Sequence, residues 1–397
     1  MEPSKRVQSI EEPLTIGMSR RSRELSQQGI KVINLSLGEP DFDTPEPIKQ
    51  AAIEAIQNNF THYTAVSGYL ELRQAICQKF KRDNNLDYTP EQIVVSTGAK
   101  QSIANAYLCL LNPGDEVIVP APYWVTYVEF LKLIDAKPVI IKTGIETNFK
   151  VTADVLEKHI TPKTKLIIFS SPCNPTGSVY SKEELEAWVK VLEKYPNIFV
   201  ISDEIYEHIN YVGKHYSIAQ FESMKERVTV INGVSKGFAM TGWRGGILAG
   251  PKWLAQACDK MQGQFTSATC SITQKAMHKA MEIDVKTYVM PMVEAFRKRR
   301  DLVLKKLAEI PGIKFNIPDG AFYVFVDVSG LFGKRYGERE IKSGTDLCFY
   351  LLEEARVSIV PGAAFGDDNY VRISYAASEI NLEKALTQIK AAIQKLQ

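Results

Sequence analysis

Lys236 is a lysine in apolar company. Val234, Gly237, Phe238, Ala239 and Met240 surround it, and Arg244 follows eight positions later. Desolvation disfavours the ammonium form and lowers the pKa of an amine. A neutral amine can attack a carbonyl and form a Schiff base. Arg244 keeps its charge and offers a planar fork suited to phosphate.

The pair could therefore hold one ligand that carries both an aldehyde and a phosphate, and pyridoxal phosphate is such a ligand. A snorkelling lysine and a surface arginine would use the same residue types, so other groups must decide. Asp203 closes the apolar run 198–201. A carboxylate buried there needs a cationic or protonated partner, which a protonated pyridine nitrogen would supply; an N-cap is the other use of an aspartate at that place. Gly98, Ala99 and Lys100 follow another apolar run, where small residues let backbone N–H groups approach an anion. Their spacing is not that of a P-loop, and an ordinary helix start would look alike. Tyr123 and Trp124 follow Pro122. A flat aromatic ring there could stack on a cofactor ring, a gain of roughly 0.5–1.5 kcal/mol beyond burial, although single aromatics more often fill cores.

These residues need elements to bring them together. Short apolar runs at 93–95, 116–119, 165–169, 198–201 and 228–231 each end in a polar or glycine-rich turn, usually followed by a helical pattern. Such strands belong to a mainly parallel sheet covered on both faces, which makes the fold class α/β. Ligands of open parallel sheets sit outside the carboxyl ends of the strands. Gly98 to Lys100, Asn174, Asp203, and Ser235 with Lys236 all fall at such ends, so one pocket is expected to gather them.

The remaining elements are helices at 45–58, with Thr44 as N-cap and Pro45 at the first helical position, and at 69–83, where Leu72, Ile76 and Phe80 recur every four residues. A loop between them carries Tyr63. A long helical tract at 273–308 leads to a smaller α+β unit. Its strands are expected at 313–315, 321–327, 357–360 and 370–374, its helices at 345–354 and 379–396, and a strand near Ile33 completes it. The expected organisation is an arm at 1–13, a small domain at 14–47 and 296–397, and a large cofactor-binding domain at 48–295.

Composition narrows the function class. The chain has 397 residues, 45% hydrophobic and 24% charged, with net charge +2, which offers no field for a nucleic-acid partner. The six cysteines form no CxxC pair, the five histidines are dispersed, and Glu207-His208 lacks the second histidine of a zincin helix. No metal is predicted. The first residues are charged and carry Pro3 and Pro13 without an apolar core, so a cytoplasmic protein with no membrane span is expected.

In order along the chain stand Gly38-Glu39-Pro40-Asp41-Phe42, the 96–100 turn, Pro122-Tyr123-Trp124, Asn174-Pro175-Thr176-Gly177, Asp203-Glu204-Ile205-Tyr206, Ser235-Lys236 with Arg244, and Arg372. This set resembles the class I aminotransferases of the fold-type I pyridoxal-phosphate enzymes, and most of all the bacterial Ib branch of aspartate aminotransferases. The resemblance implies that Lys236 is the Schiff-base lysine, that Asp203 partners the pyridine nitrogen, and that Asn174 and Tyr206 bond the ring oxygen under a stacked Trp124. It implies a phosphate site from Gly98, Ala99, Lys100, Ser235 and Arg244, with Tyr63 reaching in from the second subunit of a homodimer. Arg372 would take the substrate α-carboxylate, assisted by Asn174 and the Gly38 backbone. Lys100 would take the distal carboxylate, and Thr15 lies in a segment that closes over the site. Transamination between aspartate and 2-oxoglutarate follows, in two half-reactions with ping-pong kinetics. An aromatic or prephenate aminotransferase and a carbon–sulfur lyase remain alternatives. Gly245 departs from the usual apolar residue after the arginine, and Glu11-Glu12-Pro13 departs from the basic residue carried by relatives that use prephenate.

Overall fold

The apolar runs form a central seven-stranded sheet. The computed structural model describes residues 2–10, 20, 21, 24, 25, 27 and 29–397; Thr15 and Glu11-Glu12-Pro13 lie outside them. The strands are β1 Ile93–Thr97, β2 Glu116–Ala121, β3 Lys137–Lys142, β4 Thr164–Ser170, β5 Phe199–Asp203, β6 Val228–Gly233 and β7 Gly245–Ala249, in the spatial order β1-β7-β6-β5-β4-β2-β3. Pairings within the β6-β5-β4-β2-β3 block are parallel. Strand β7 is antiparallel to both its neighbours, β1 and β6.

That single reversed strand matters for the site. The carboxyl ends of β1, β4, β5 and β6 share one edge of the sheet, and β7 begins at that same edge. Arg244, the residue before β7, is thereby delivered to the place where Asp203 and Lys236 arrive from the other direction.

Successive strand side chains point to opposite faces, and here both faces are buried. Val94, Val119, Ile168, Ile201 and Ile231 pack into one core cluster, and Val95, Ile118, Ile167, Val200 and Val230 into another. Each such side chain contributes roughly 1.5–3 kcal/mol, which is why these runs are apolar without alternation.

Strand β3 escaped the sequence reading because it is an edge strand of partly polar composition. It is bounded by Lys137 and Lys142 and carries Pro138, the composition that edges tolerate. Strand β7 escaped because it opens on two glycines.

Around the sheet, helix Glu46–Gln57 starts one residue later than expected. Thr44 does not cap it: its hydroxyl donates to the Ala239 carbonyl at 2.8 Å and accepts from Trp243 Nε1 at 3.1 Å. The predicted 69–83 helix is Leu70–Lys79 followed by a π-helical turn, Phe80–Asn84. Leu72, Ile76 and Phe80 are all buried. The 273–308 tract is broken into Ser271–Glu282, Val285–Tyr288 and Met290–Leu307, with Asp284 accepting from the Lys286 and Thr287 N–H groups at the break.

The C-terminal part builds a four-stranded antiparallel sheet from Lys314–Phe315, Tyr323–Asp327, Val360–Pro361 and Tyr370–Ser374. The expected strand 357–360 is split in two, since Val357–Ser358 pairs in parallel with Ile33–Asn34 instead. The early strand thus joins the late unit, though over two residues only. A short exposed hairpin, Arg335–Tyr336 with Arg339–Glu340, has no counterpart in the sequence reading. All six cysteines are unpaired. Among the described residues no helix is long and apolar enough to cross a membrane.

Candidate active site

A cavity of about 460 Å³ opens at the strand carboxyl ends. The turn that follows β6 places Lys236 in it, where Nζ donates to the Gly38 carbonyl at 2.5 Å. Burial first, and then the positive charge of Arg372, bring the Lys236 amine down to about 8. The lysine therefore has an accessible neutral form near neutral pH.

Asp203, the last residue of β5, is 4% exposed. Its Oδ2 accepts from the Tyr127 hydroxyl at 2.6 Å and its Oδ1 from the Ile205 N–H at 3.2 Å. Burial pushes the carboxyl up to about 6 against the lowering effect of those two donors. Among the described residues no cation is bonded to it, so a buried carboxylate faces the cavity with its charge unpaired.

At the other side, Gly98 has φ +85° and precedes helix Ala99–Leu110. The first N–H groups of that helix have no acceptor within the helix. A Cβ on Gly98 would run into the Arg244 guanidinium, and one on Gly246 into the Gly98 and Ala99 backbone. The cradle exists only because both positions are glycine. Arg244 itself holds a left-handed backbone, φ 58°, and its Nη1 donates to the Thr241 carbonyl at 2.9 Å. Lys100 lies beside it, with Nζ 5.1 Å from the Trp124 ring centroid. Burial and then Arg244 lower the Lys100 pKa. Two cations side by side at a helix start favour an anion between them.

A third group of contacts surrounds Arg372, on strand Tyr370–Ser374. Its Nη1 donates to Asn174 Oδ1 at 3.0 Å and its Nη2 to the Ser36 carbonyl at 2.7 Å. The Tyr323 and Phe365 rings stand 4.4 and 4.9 Å from the guanidinium carbon. The side chain is buried, and among the described residues its Nε has no hydrogen-bond partner. Its acceptors among the described residues are both neutral, and a guanidinium in that state can hold a carboxylate in its fork. Tyr206 is linked to this group, since its hydroxyl lies 2.9 Å from that of Tyr323.

Gly38, Ala99, Lys100, Trp124, Asn174, Asp203, Tyr206, Ser235, Lys236, Arg244 and Arg372 line the one cavity, and Gly98 abuts Arg244. Tyr63 is 95% exposed and does not line the cavity of its own chain; Thr15 lies outside the described residues. Sequence reasoning missed Ser36, Tyr127, Thr241, Tyr323 and Phe365, which also line it. Tyr127, the second residue of helix Thr126–Leu133, carries no signal in the sequence that sets it apart from a core tyrosine. Gly245 is explained by crowding: a Cβ there would meet Met277 Sδ at 2.6 Å and Val234 Cγ2 at 2.9 Å, so Met277 fills the space.

The sequence pattern of aminotransferase class I and II matches residues 30–389. The chain belongs to that family. Among curated relatives, a bifunctional aspartate aminotransferase and glutamate/aspartate-prephenate aminotransferase of Petunia hybrida is 48% identical over 98% of this chain and 82% of its own length. An aspartate/prephenate aminotransferase of Nitrosomonas europaea is 45% identical over 99% of this chain and 100% of its own. Among solved structures, the aspartate aminotransferase from Rhizobium meliloti superposes with TM-score 0.97 at 42% identity, covering 100% of both chains. That of Thermus thermophilus with maleate gives 0.93 at 39%, covering 99% of this chain and 100% of that one. As a family member of fold type I, this aminotransferase uses pyridoxal 5'-phosphate. The donor set fits that cofactor: a depressed amine, an unpaired buried carboxylate, and a glycine cradle beside two cations would meet its aldehyde, ring nitrogen and phosphate.

Proposed function

We propose that this aminotransferase transfers the amino group between aspartate and 2-oxoglutarate, with each cavity residue in the role its surroundings prepare. The observation that carries the reading is Arg372, a buried guanidinium with no anion, in one cavity with the depressed Lys236 amine and the unpaired Asp203 carboxylate.

Arg372 grips the substrate α-carboxylate in a fork, with Asn174 and the Ser36 carbonyl fixing the guanidinium plane. Lys100, already destabilised as a cation by burial and Arg244, receives the distal carboxylate of a dicarboxylic substrate. Gly98, Ala99, Lys100, Ser235 and Arg244 hold the cofactor phosphate, Trp124 covers its ring, Asn174 and Tyr206 bond its ring oxygen, and Asp203 keeps its nitrogen protonated. When bound, the cofactor supplies the electron sink that acidifies the substrate α-carbon. Lys236 Nζ would take up that proton and pass it from the same side to the cofactor carbon, a role suited to an amine near neutrality. Its bond to the Gly38 carbonyl, which also lines the cavity, supports that role.

Tyr63 is assigned to the phosphate of a neighbouring subunit in a homodimer, which fits a tyrosine that is exposed in its own chain. The segment around Ile33 and residues 296–397 are assigned to one small domain, supported by the Ile33–Asn34 pairing with Val357–Ser358. Prephenate as a second amino acceptor is favoured by the names of relatives at 45–48% identity.

A panel of amino donors and 2-oxo acceptors tests the reading. Oxaloacetate from aspartate with 2-oxoglutarate is expected, and Lys236→Ala should abolish turnover while still binding the cofactor non-covalently. Strong turnover of aromatic donors with negligible oxaloacetate, or pyruvate release without an acceptor, would contradict it.

A further inference from the structure

Behind Asp203, on the side away from the cavity, lies a buried charge cluster that the proposed reaction does not use. Glu204 follows Asp203 directly, and adjacent side chains at a strand end point to opposite sides. Glu204 is fully buried. Its Oε1 accepts from Ser202 Oγ at 2.8 Å and Ser217 Oγ at 2.6 Å, and its Oε2 accepts from His215 Nε2 at 2.8 Å. Glu207 is buried beside it and bonded to the Lys79 ammonium and to Asn84 Nδ2, the latter at 2.7 Å. Lys79 in turn donates to Asn84 Oδ1 at 2.7 Å.

Donor atoms of Glu204, Glu207 and His215 lie within 4.8 Å of one another, a spacing that would suit a metal ion. The cluster already carries its own cations, however, since Lys79 occupies Glu207 and His215 occupies Glu204. His215 Nδ1 is buried with no hydrogen-bond partner among the described residues in either protonation state, so the choice between them is left to the carboxylates facing the ring. Burial opposes the imidazolium, but Glu204 and then Glu207 overcome it and raise the His215 pKa. His208 goes the other way, lowered by burial despite Glu207. Two carboxylates then face two cations, and Asp203 is the one charge left unbalanced until a cofactor ring arrives. Other charged or titratable groups facing the cluster are Arg82, Asp83 and Tyr88. The cluster also touches the lysine loop, because the His208 ring fills the place a Cβ on Gly237 would take.

We propose that Glu204 and His215 form a compensated charge pair that sets the ionisation of Asp203 from behind, which makes His215 a positioning residue for the carboxylate that meets the cofactor nitrogen. The inference rests on the reading of Asp203 given above. Its sign is definite. Glu204 raises the Asp203 pKa, and a protonated His215 cancels that effect. Loss of the imidazolium leaves Glu204 uncompensated and drives Asp203 toward its neutral form, in which it cannot hold a protonated ring nitrogen.

Two measurements test this. Histidine-labelled NMR of the cofactor-free protein, with only five histidines to assign, should show His215 titrating above 6.5 and falling in Glu204→Gln. A wild-type His215 that titrates below 6.5 overturns the inference. Pyridoxal-phosphate affinity against pH should show the acid limb of binding moved up by roughly one unit in His215→Gln, the effect of one uncompensated neighbouring charge. The limb should return in the Glu204→Gln, His215→Gln double variant, which keeps the polar shape and removes both charges. An unmoved limb in His215→Gln, or no return in the double variant, overturns the inference while wild-type binding leaves the functional reading standing. Failure of the wild type to bind the cofactor overturns the functional reading instead. Should His215→Gln not fold, Glu204→Gln alone decides: a limb at or below that of the wild type supports the pair, and an upward move refutes it.

Discussion

Tyr127→Phe removes the hydroxyl that donates to Asp203 Oδ2 at 2.6 Å and leaves the buried ring in place. A hydrogen bond to a charged acceptor contributes about 1.5–3 kcal/mol, and one pKa unit corresponds to about 1.36 kcal/mol. Asp203, already pushed up to about 6, should therefore rise by a further ~1–2 units. The sign follows from linkage. The folded pKa lies above the ordinary carboxyl value of 3.8, so the stabilisation from protonated Asp203 is complete below that value and is lost as pH rises through about 6. In the variant this loss moves to higher pH, and near pH 7 a larger share of Asp203 is neutral. The ionised fraction at that pH falls about twofold to tenfold, and cofactor affinity and kcat/KM should fall with it. Binding titrations and steady-state rates from acid to alkaline pH measure the change. The expected result is an acid limb displaced upward by ~1–2 units with recovery at alkaline pH. A uniform loss at every pH, or an unmoved limb, would refute the electrostatic account and leave Tyr127 as packing.

Arg372→Lys replaces a fork with a point charge that cannot keep both the Asn174 and Ser36 contacts while holding a carboxylate. A loss of about 2–5 kcal/mol should reduce kcat/KM for every amino acid donor by at least ~30-fold, mostly through KM. Lys100→Met should lower the preference for aspartate over an aromatic donor by about tenfold, equivalent to ~1.4 kcal/mol, as read by competing the two donors. If Tyr63 serves a neighbouring site, sedimentation should show a dimer, and Tyr63→Phe should weaken cofactor binding without changing the dimer; a fully active monomer would end that assignment. Gly245→Val should destabilise the fold by about 1–3 kcal/mol through overpacking against Met277, measured by denaturant unfolding, with relief in the Met277→Ala background.

The site was more legible than the frame around it. Lys236 and Asp203 could be read because each follows the end of an apolar run, where a charge taken out of water needs a partner, and Arg244 because it stands eight positions beyond Lys236. What could not be read are contacts that depend on which face a helix turns or on distant pairing. Tyr127 looks like an ordinary core tyrosine until its hydroxyl is seen at Asp203. Tyr323 and Phe365 are apolar strand and loop residues whose value lies in flanking Arg372. Thr44 has the local signature of an N-cap, but its hydroxyl is claimed by Ala239 and Trp243, nearly 200 positions away. Local rules also misplaced the break at Asp284, since the amphipathic pattern continues across it while the capping side chain interrupts the helix.

The Arg372 bond to the Ser36 carbonyl spans 336 positions, and this has a consequence for synthesis on the ribosome. The sheet edge that offers Asp203, Lys236 and Arg244 can form once the chain has passed β7, whereas the carboxylate socket must wait for strand Tyr370–Ser374. Ser36, made among the first, stays without its Arg372 partner until strand Tyr370–Ser374 emerges, whereas Gly38 meets Lys236 earlier. On the proposed roles, a nascent chain would thus gain a place for its cofactor well before it could grip an amino acid, since Arg372 belongs to one of the last strands to be made.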